Sequence, residues 1–254
     1  MTETERYSFD TQGYLVVDDV LKSDEVRRLV AAVPRTSHGS LRAEKQPDVA
    51  NCFDGFLESP EPLFRELIDH PKIVPLLREI FCHFDGPFEK RYYLEHEYGF
   101  VMQPGDKGGS LFHNGATPHD PWLSYQVRDG KIFCGLVNVV WLLSDVHPGD
   151  GGFWCIPGSH KAAFPTPKAF ERGEVSPAFA VQPAAKAGSV ILFTEALAHG
   201  THPWRAKHDR ICLFYKYVPG YLGSVKLRPA TTMELASAQQ REYLMSADKL
   251  DTKR

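Results

Sequence analysis

The chain has 254 residues, a formal charge of −3, and 43% hydrophobic and 24% charged side chains, with an isoelectric point near 6.4. That balance is ordinary for a soluble globular protein and excludes a general pull toward nucleic-acid polymers or anionic membranes. No apolar run approaches the roughly 20 residues that span a bilayer, and the polar start lacks the order of a secretory signal, so a cytoplasmic protein handling a small soluble partner is expected.

The opening segment, 7–20, predicts a strand: Gly13 leads into Tyr14-Leu15-Val16-Val17, closed by Asp18-Asp19. Ser23-Asp24-Glu25 supplies an N-cap and an acidic first turn, and Val26, Leu29, Val30 and Val33 recur at helical spacing until Pro34. The polar stretch 36–51 reads as a surface loop. A helix pair follows at 63–68 and 73–81, with Pro71 opening the second.

From about residue 90 the texture changes to strands at 91–103, 132–143, 152–156, 178–181, 189–193 and 210–218, parted by Gly/Pro turns. The run 132–143 is apolar on both faces, as a central covered strand would be. A terminal helix is predicted over 232–249. The expected architecture is one domain, 1–254, with an all-β core mainly at 90–220 and N-terminal helices bracing it mainly at 20–85. The five cysteines (Cys52, Cys82, Cys134, Cys155, Cys212) are odd in number and form no CxxC pair, so buried free thiols are expected.

Most of the eleven histidines need no special role. His38 and His208 read as solvated, and His70 as a turn residue. His113 and His199 stand out by their surroundings. His199 follows the strand Val190-Ile191-Leu192-Phe193, and Arg210 opens the strand Ile211-Cys212-Leu213-Phe214-Tyr215. A turn around Pro203-Trp204 is expected to fold the second strand back beside the first, making His199 and Arg210 neighbours. Arg210 alternates with Cys212 and Phe214, so it points inward, where a guanidinium needs an anion, either a bound carboxylate or a structural Asp or Glu.

These residues resemble the phytanoyl-CoA dioxygenase family of Fe(II)/2-oxoglutarate enzymes. The resemblance covers nearly the whole chain and is carried by Phe9-Asp10-Thr11-Gln12-Gly13-Tyr14-Leu15-Val16-Val17 and by Gly151-Gly152-Phe153-Trp154-Cys155-Ile156-Pro157-Gly158-Ser159-His160-Lys161. It implies a double-stranded β-helix, a jelly-roll relative. It further implies iron held by His113 and His199, 2-oxoglutarate gripped by Arg210 with help from Thr201, and O2 as co-substrate. His160, within the Pro-Gly-Ser-His signature, is architectural in that family.

The proximal motif departs from the family's His-x-Asp. Here it is His113-Asn114-Gly115, and glycine supplies no ligand. A facial triad then lacks its carboxylate, and the vacated position beside a divalent cation should attract chloride. His-x-Gly resembles the carboxylate-free halogenases of this class, which implies chlorination of an unactivated C–H bond. Among them the motif looks most like the nucleotide halogenases acting on the sugar of a deoxyadenosine monophosphate. Three alternatives stay open. A carboxylate arrives from elsewhere, with Asp120 nearest, giving a hydroxylase; water fills the gap; or the chain only binds a ligand. Asn138, polar within an apolar run, contacts 2-oxoglutarate or chloride, or makes a structural hydrogen bond. Trp204 and Phe112 are candidates to wall the pocket. Lys107 and the loop 36–45 are candidate cations for a phosphate.

Overall fold

The computed structural model describes residues 1–33, 51–81, 92–109, 111–115, 120, 123–220, 222 and 228–244. The expected loop at 36–51, with His38 and the cations at 36–45, lies outside them except for Asn51, as do Cys82 and the last residues of the predicted terminal helix.

The chain opens with a helix, α1 (Glu3–Gln12), where a strand was expected from residue 7. The reason is a capping box: the Thr2 hydroxyl accepts from Glu5 N–H at 3.1 Å, and the Glu5 carboxylate accepts from Thr2 N–H at 2.6 Å. Gly13, at φ 83°, ends the helix, and strand β1 (Tyr14–Val17) follows. Helix α2 (Ser23–Ala32) begins one residue earlier than expected, with Lys22 as the cap and its N–H held by the Glu25 carboxylate at 2.7 Å. Strand β2 (Asn51–Phe53) and helices α3 (Leu63–Glu66) and α4 (Val74–Phe81) come next. His70 serves its turn by accepting from Lys72 N–H at 3.3 Å.

The β region comprises β3 (Tyr92–Met102), β4 (Tyr125–Arg128), β5 (Lys131–Cys134), β6 (Val137–Leu142), β7 (Gly152–Cys155), β8 (Val190–Thr194), β9 (His199–His202) and β10 (Arg210–Pro219). The single strand expected at 132–143 is therefore two. Asp129 and Gly130, both at positive φ, turn a tight β4–β5 hairpin, and the chain then bends at Gly135 before β6. The segment expected as a strand at 178–181 contributes only a bridge from Val181 to Cys155. The predicted terminal helix is two short ones, α6 (Ala230–Leu235) and α7 (Ala238–Tyr243), numbered after the short α5 (Lys168–Glu171). Ser237 starts a fresh capping box between them.

The major sheet has the order β1-β8-β6-β10-β3-β2, every pairing antiparallel. A smaller sheet pairs β7 with β9 and is extended by a bridge on each side, His113 to His199 and Val181 to Cys155. This is a jelly roll, an all-β core with helices packed outside it.

Strict alternation sorts the central strands. Val137, Val139, Trp141, Leu213, Tyr215 and Tyr217 face the helices. Tyr215 and Tyr217 also donate to the carbonyls of Phe64 and Ile68 at 2.5 and 2.9 Å, tying sheet to helix. Val140, Leu142, Phe193, Cys212 and Phe214 face the smaller sheet with Phe153, Cys155 and Trp204. Each such fully buried side chain contributes about 1.5–3 kcal/mol. Cys52, Cys134, Cys155 and Cys212 are buried and free, as expected. Among the described residues no helix is long and apolar enough to cross a membrane.

Candidate metal centre

His113 and His199 are brought together by the backbone. His113 N–H donates to the His199 carbonyl at 2.8 Å, and His199 N–H donates back at 3.0 Å. Directly opposed residues on antiparallel chains put their side chains on one face, and the ring centroids are 4.3 Å apart. His199 Nδ1 lies 2.7 Å from the Leu197 carbonyl, which takes its proton and leaves Nε2 as a free lone pair. His113 Nδ1 is buried and has no hydrogen-bond partner. Burial pushes His113 down, and burial together with His113 pushes His199 down to about 3. Both rings are therefore neutral, the form that ligates metals.

A third ligand-type side chain meets them. One nitrogen from each histidine and one Glu195 oxygen all lie within 4.8 Å of one another. Glu195 follows β8 directly. Its Oε1 accepts from Asn114 Nδ2 at 3.0 Å, and its Oε2 accepts from Asn138 Nδ2 at 2.7 Å and from Lys216 Nζ at 3.2 Å. Burial alone would raise this carboxyl, but the Lys216 ammonium and the Asn138 hydrogen bond outweigh it and hold it well below the usual range. Glu195 is thus an anion. Asn138 makes a hydrogen bond to this carboxylate. The carboxylate that gathers with the histidines is Glu195, and Asp120 is not part of that group.

Gly115 is the position where the family's carboxylate was expected to be vacated. It lies at φ +95°, and a Cβ there would come within 2.4 Å of Thr166 Oγ1. That hydroxyl donates to the Asn114 carbonyl at 2.7 Å. The loop is therefore closed around a residue with no side chain.

Arg210 is 1% exposed and projects inward from the end of β10. Its Nη1 lies 3.5 Å from Met102 Sδ, and its Nε is buried without a hydrogen-bond partner. Among the described residues no carboxylate pairs with it. Gly152 of the facing sheet makes room for it, since a Cβ there would sit 2.7 Å from Arg210 Nε. The expected side-by-side placement of the His199 and Arg210 strands is not what forms. β9 pairs with β7, while β10 lies between β3 and β6. The turn at Pro203-Trp204 crosses between sheets, so the two residues belong to opposite walls of one interior. Thr201, two residues along β9 from His199, lies on the same side of its strand.

The Pro-Gly-Ser-His signature supports the centre from behind. Ser159 Oγ accepts from Ala198 N–H at 2.7 Å and donates to the Ile156 carbonyl at 2.6 Å, fixing the residue just before His199. His160 lies 3.0 Å from the Asp10 carbonyl, and burial pushes it down to about 4, a structural imidazole. Trp204 is core, donating to the His208 carbonyl at 2.5 Å. Phe112 is buried against His202, and Lys107 is exposed.

The phytanoyl-CoA dioxygenase (PhyH) family pattern matches residues 9–212. The chain belongs to that family. An ectoine dioxygenase of Bordetella parapertussis is 21% identical over 160 residues, 61% of this chain and 48% of the relative. The chain thus spans about half the length of the curated relatives it matches. Among solved structures, HygX from Streptomyces hygroscopicus with nickel and 2-oxoglutarate bound is 25% identical and superposes with a TM-score of 0.71 over 94% of this chain and 95% of that one. HygX is also known with hygromycin B bound beside nickel and 2-oxoglutarate, at 24% identity, TM-score 0.69 and coverage of 94% and 95%. SnoN, a non-heme α-ketoglutarate-dependent epimerase from nogalamycin biosynthesis, shares the fold at 20% identity, TM-score 0.56 and coverage of 85% and 82%.

Glu195 is the residue the sequence reading missed. It is the one acid in the run 189–200, four residues before His199, and nothing in the sequence ties it to either histidine.

Proposed function

We propose that this protein is an Fe(II)- and 2-oxoglutarate-dependent oxygenase that transfers one oxygen atom to an unactivated C–H bond of a small molecule. The observation that carries the reading is the gathering of two neutral imidazoles and an anionic carboxylate within 4.8 Å, a donor set suited to ferrous iron with open positions. The unpartnered Nδ1 of buried His113 fits a site that expects a further bond. His113 and His199 hold the metal. When bound, the metal would supply O2 activation coupled to oxidative decarboxylation of 2-oxoglutarate, which would give succinate and CO2 and leave the second oxygen atom for the substrate.

Arg210 grips the far carboxylate of 2-oxoglutarate through its planar fork, aided by Thr201, and so orients the co-substrate. Its buried, unpaired Nε supports this role. Phe153 and Phe193, with rings 6.0 and 4.6 Å from His199, keep that side of the centre dry. HygX, which binds 2-oxoglutarate on the same fold, supports the co-substrate.

Chlorination is the second reading, favoured by Gly115 at the family's carboxylate position. It ranks second because an anionic Glu195 beside the histidines repels a halide at short range. The substrate is a small molecule, and the His113-Asn114-Gly115 resemblance points to a deoxynucleotide.

The test is a screen of nucleotides, amino acids and other small metabolites with Fe(II), 2-oxoglutarate and O2 for substrate-dependent succinate. The expected product is heavier by one oxygen atom and indifferent to chloride. A product in which chlorine replaces hydrogen, with its isotope pair, selects the second reading. Failure of the wild-type protein to bind 2-oxoglutarate with a divalent metal refutes both.

A further inference from the structure

We propose that Glu195 is the third protein ligand of the metal, so that the carboxylate missing from the His-x-Gly motif is supplied by the end of β8. The inference rests on the metal and 2-oxoglutarate reading above and deepens it.

Three observations carry it. The first is proximity to both histidines, with ligand atoms inside 4.8 Å; ligand bonds of about 2.0–2.2 Å to a common ion are reached from there by small side-chain shifts.

The second is capacity. An ionised carboxylate offers about four lone-pair sites, two on each oxygen. Oε2 uses both, on Asn138 and Lys216, whereas Oε1 meets Asn114 alone among its described hydrogen-bond donors. One lone pair on Oε1 is left for a metal. The residue is also held at its backbone, with Glu195 N–H on the Leu136 carbonyl at 2.8 Å and its own carbonyl on Asn114 Nδ2 at 3.1 Å. Such fixing by outer partners is how a ligating carboxylate is oriented.

The third concerns the loop that ordinarily bears the acid. A Cβ on Gly115 is directed at Thr166 Oγ1, 2.4 Å away, and at the Ala198 methyl, 3.7 Å away. No side chain fits there without displacing Thr166. Meanwhile Asn114, the middle residue of the motif, reaches across to Glu195 twice. The loop has exchanged carrying a carboxylate for holding one.

The test uses the full-length protein with two probes, Co(II) alone and Fe(II) with 2-oxoglutarate in bromide buffer. Outer partners of a metal ligand typically change affinity by about 10–100-fold. Glu195→Ala and Glu195→Gln are each expected to weaken Co(II) binding by more than about 100-fold, with far-ultraviolet dichroism unchanged. Glu195→Gln preserves the side chain's size and decides the matter if the alanine variant does not fold. X-ray absorption at the iron edge should show only light scatterers in the wild type, and a bromide neighbour in Glu195→Ala, where the position has been opened.

A bromide bound to wild-type iron overturns the assignment of Glu195 and selects the chlorination reading, whereas a loss of Co(II) affinity of about 100-fold or less in Glu195→Gln, with no bromide on wild-type iron and 2-oxoglutarate still bound, overturns the assignment of Glu195 alone. Wild-type protein that binds neither Co(II) nor 2-oxoglutarate overturns both.

Discussion

Gly152→Ala tests the Arg210 pocket without touching Arg210. The added methyl would lie 2.7 Å from Nε, 2.9 Å from Cδ and 3.4 Å from Cζ, so the guanidinium must withdraw by about 0.7 Å to reach ordinary contact at 3.4 Å. A shift on the scale of 1 Å can cost about 100-fold in a positioned interaction. Losing one of two charge-assisted bonds to a carboxylate is worth about 1.5–3 kcal/mol, or roughly 10- to 150-fold in affinity. Backbone strain must be separated from this effect, because Gly152 is at φ +75° and an L-residue there costs about 1–2 kcal/mol of stability. Gly149→Ala is the control: it lies at φ +91° with nothing within 4 Å of its Cβ. Both variants should lose similar stability in urea unfolding. Only Gly152→Ala should lose 2-oxoglutarate affinity, read by anaerobic titration of the Fe(II) protein through its visible charge-transfer band. Equal affinities in the two variants would refute the placement of the co-substrate carboxylate against Arg210.

Arg210→Met should weaken 2-oxoglutarate binding by at least about 1.5–3 kcal/mol yet leave the unliganded protein as stable as wild type or more so, because it removes a buried cation that no described carboxylate pairs with; a large loss of unliganded stability would show Arg210 to be a structural cation. Arg228, by contrast, is a structural one. It pairs with Glu97 and donates to the Leu94 carbonyl at 2.7 Å, anchoring the segment before α6 to β3. Arg228→Met should destabilise by about 3–5 kcal/mol, the cost of stranding a buried Glu97, with 2-oxoglutarate affinity unchanged; unfolding curves and the same titration check both halves.

The β core was legible because its central strands are mostly apolar and buried along their whole length, as in β6, β8 and β10. That pattern failed where local hydrogen bonding decides. α1 is set by the Thr2/Glu5 box, and its low-hydrophobicity sequence buries only Phe9. The β5–β6 break is set by a turn at Gly135 that apolar content conceals. The inward aim of Arg210 was readable from alternation with Cys212 and Phe214, whereas its partner sheet was not, because strand pairing is a long-range outcome. His113 and His199 were readable as a pair from the family motif. Glu195 was not, because its role depends on Asn114, Asn138 and Lys216, contributed by three separate segments that meet only in the folded chain.

The double peptide hydrogen bond between residues 113 and 199 carries one further implication. The spacing of the two imidazole-bearing residues is a property of main-chain geometry, settled when the sandwich closes. An incoming ion therefore has little chain to order, and its binding free energy is not diluted by about 1–2 kcal/mol for every residue it would otherwise immobilise. Small metal-dependent modules fold only around their ion; here the two imidazole-bearing residues are joined by their own main chain without one.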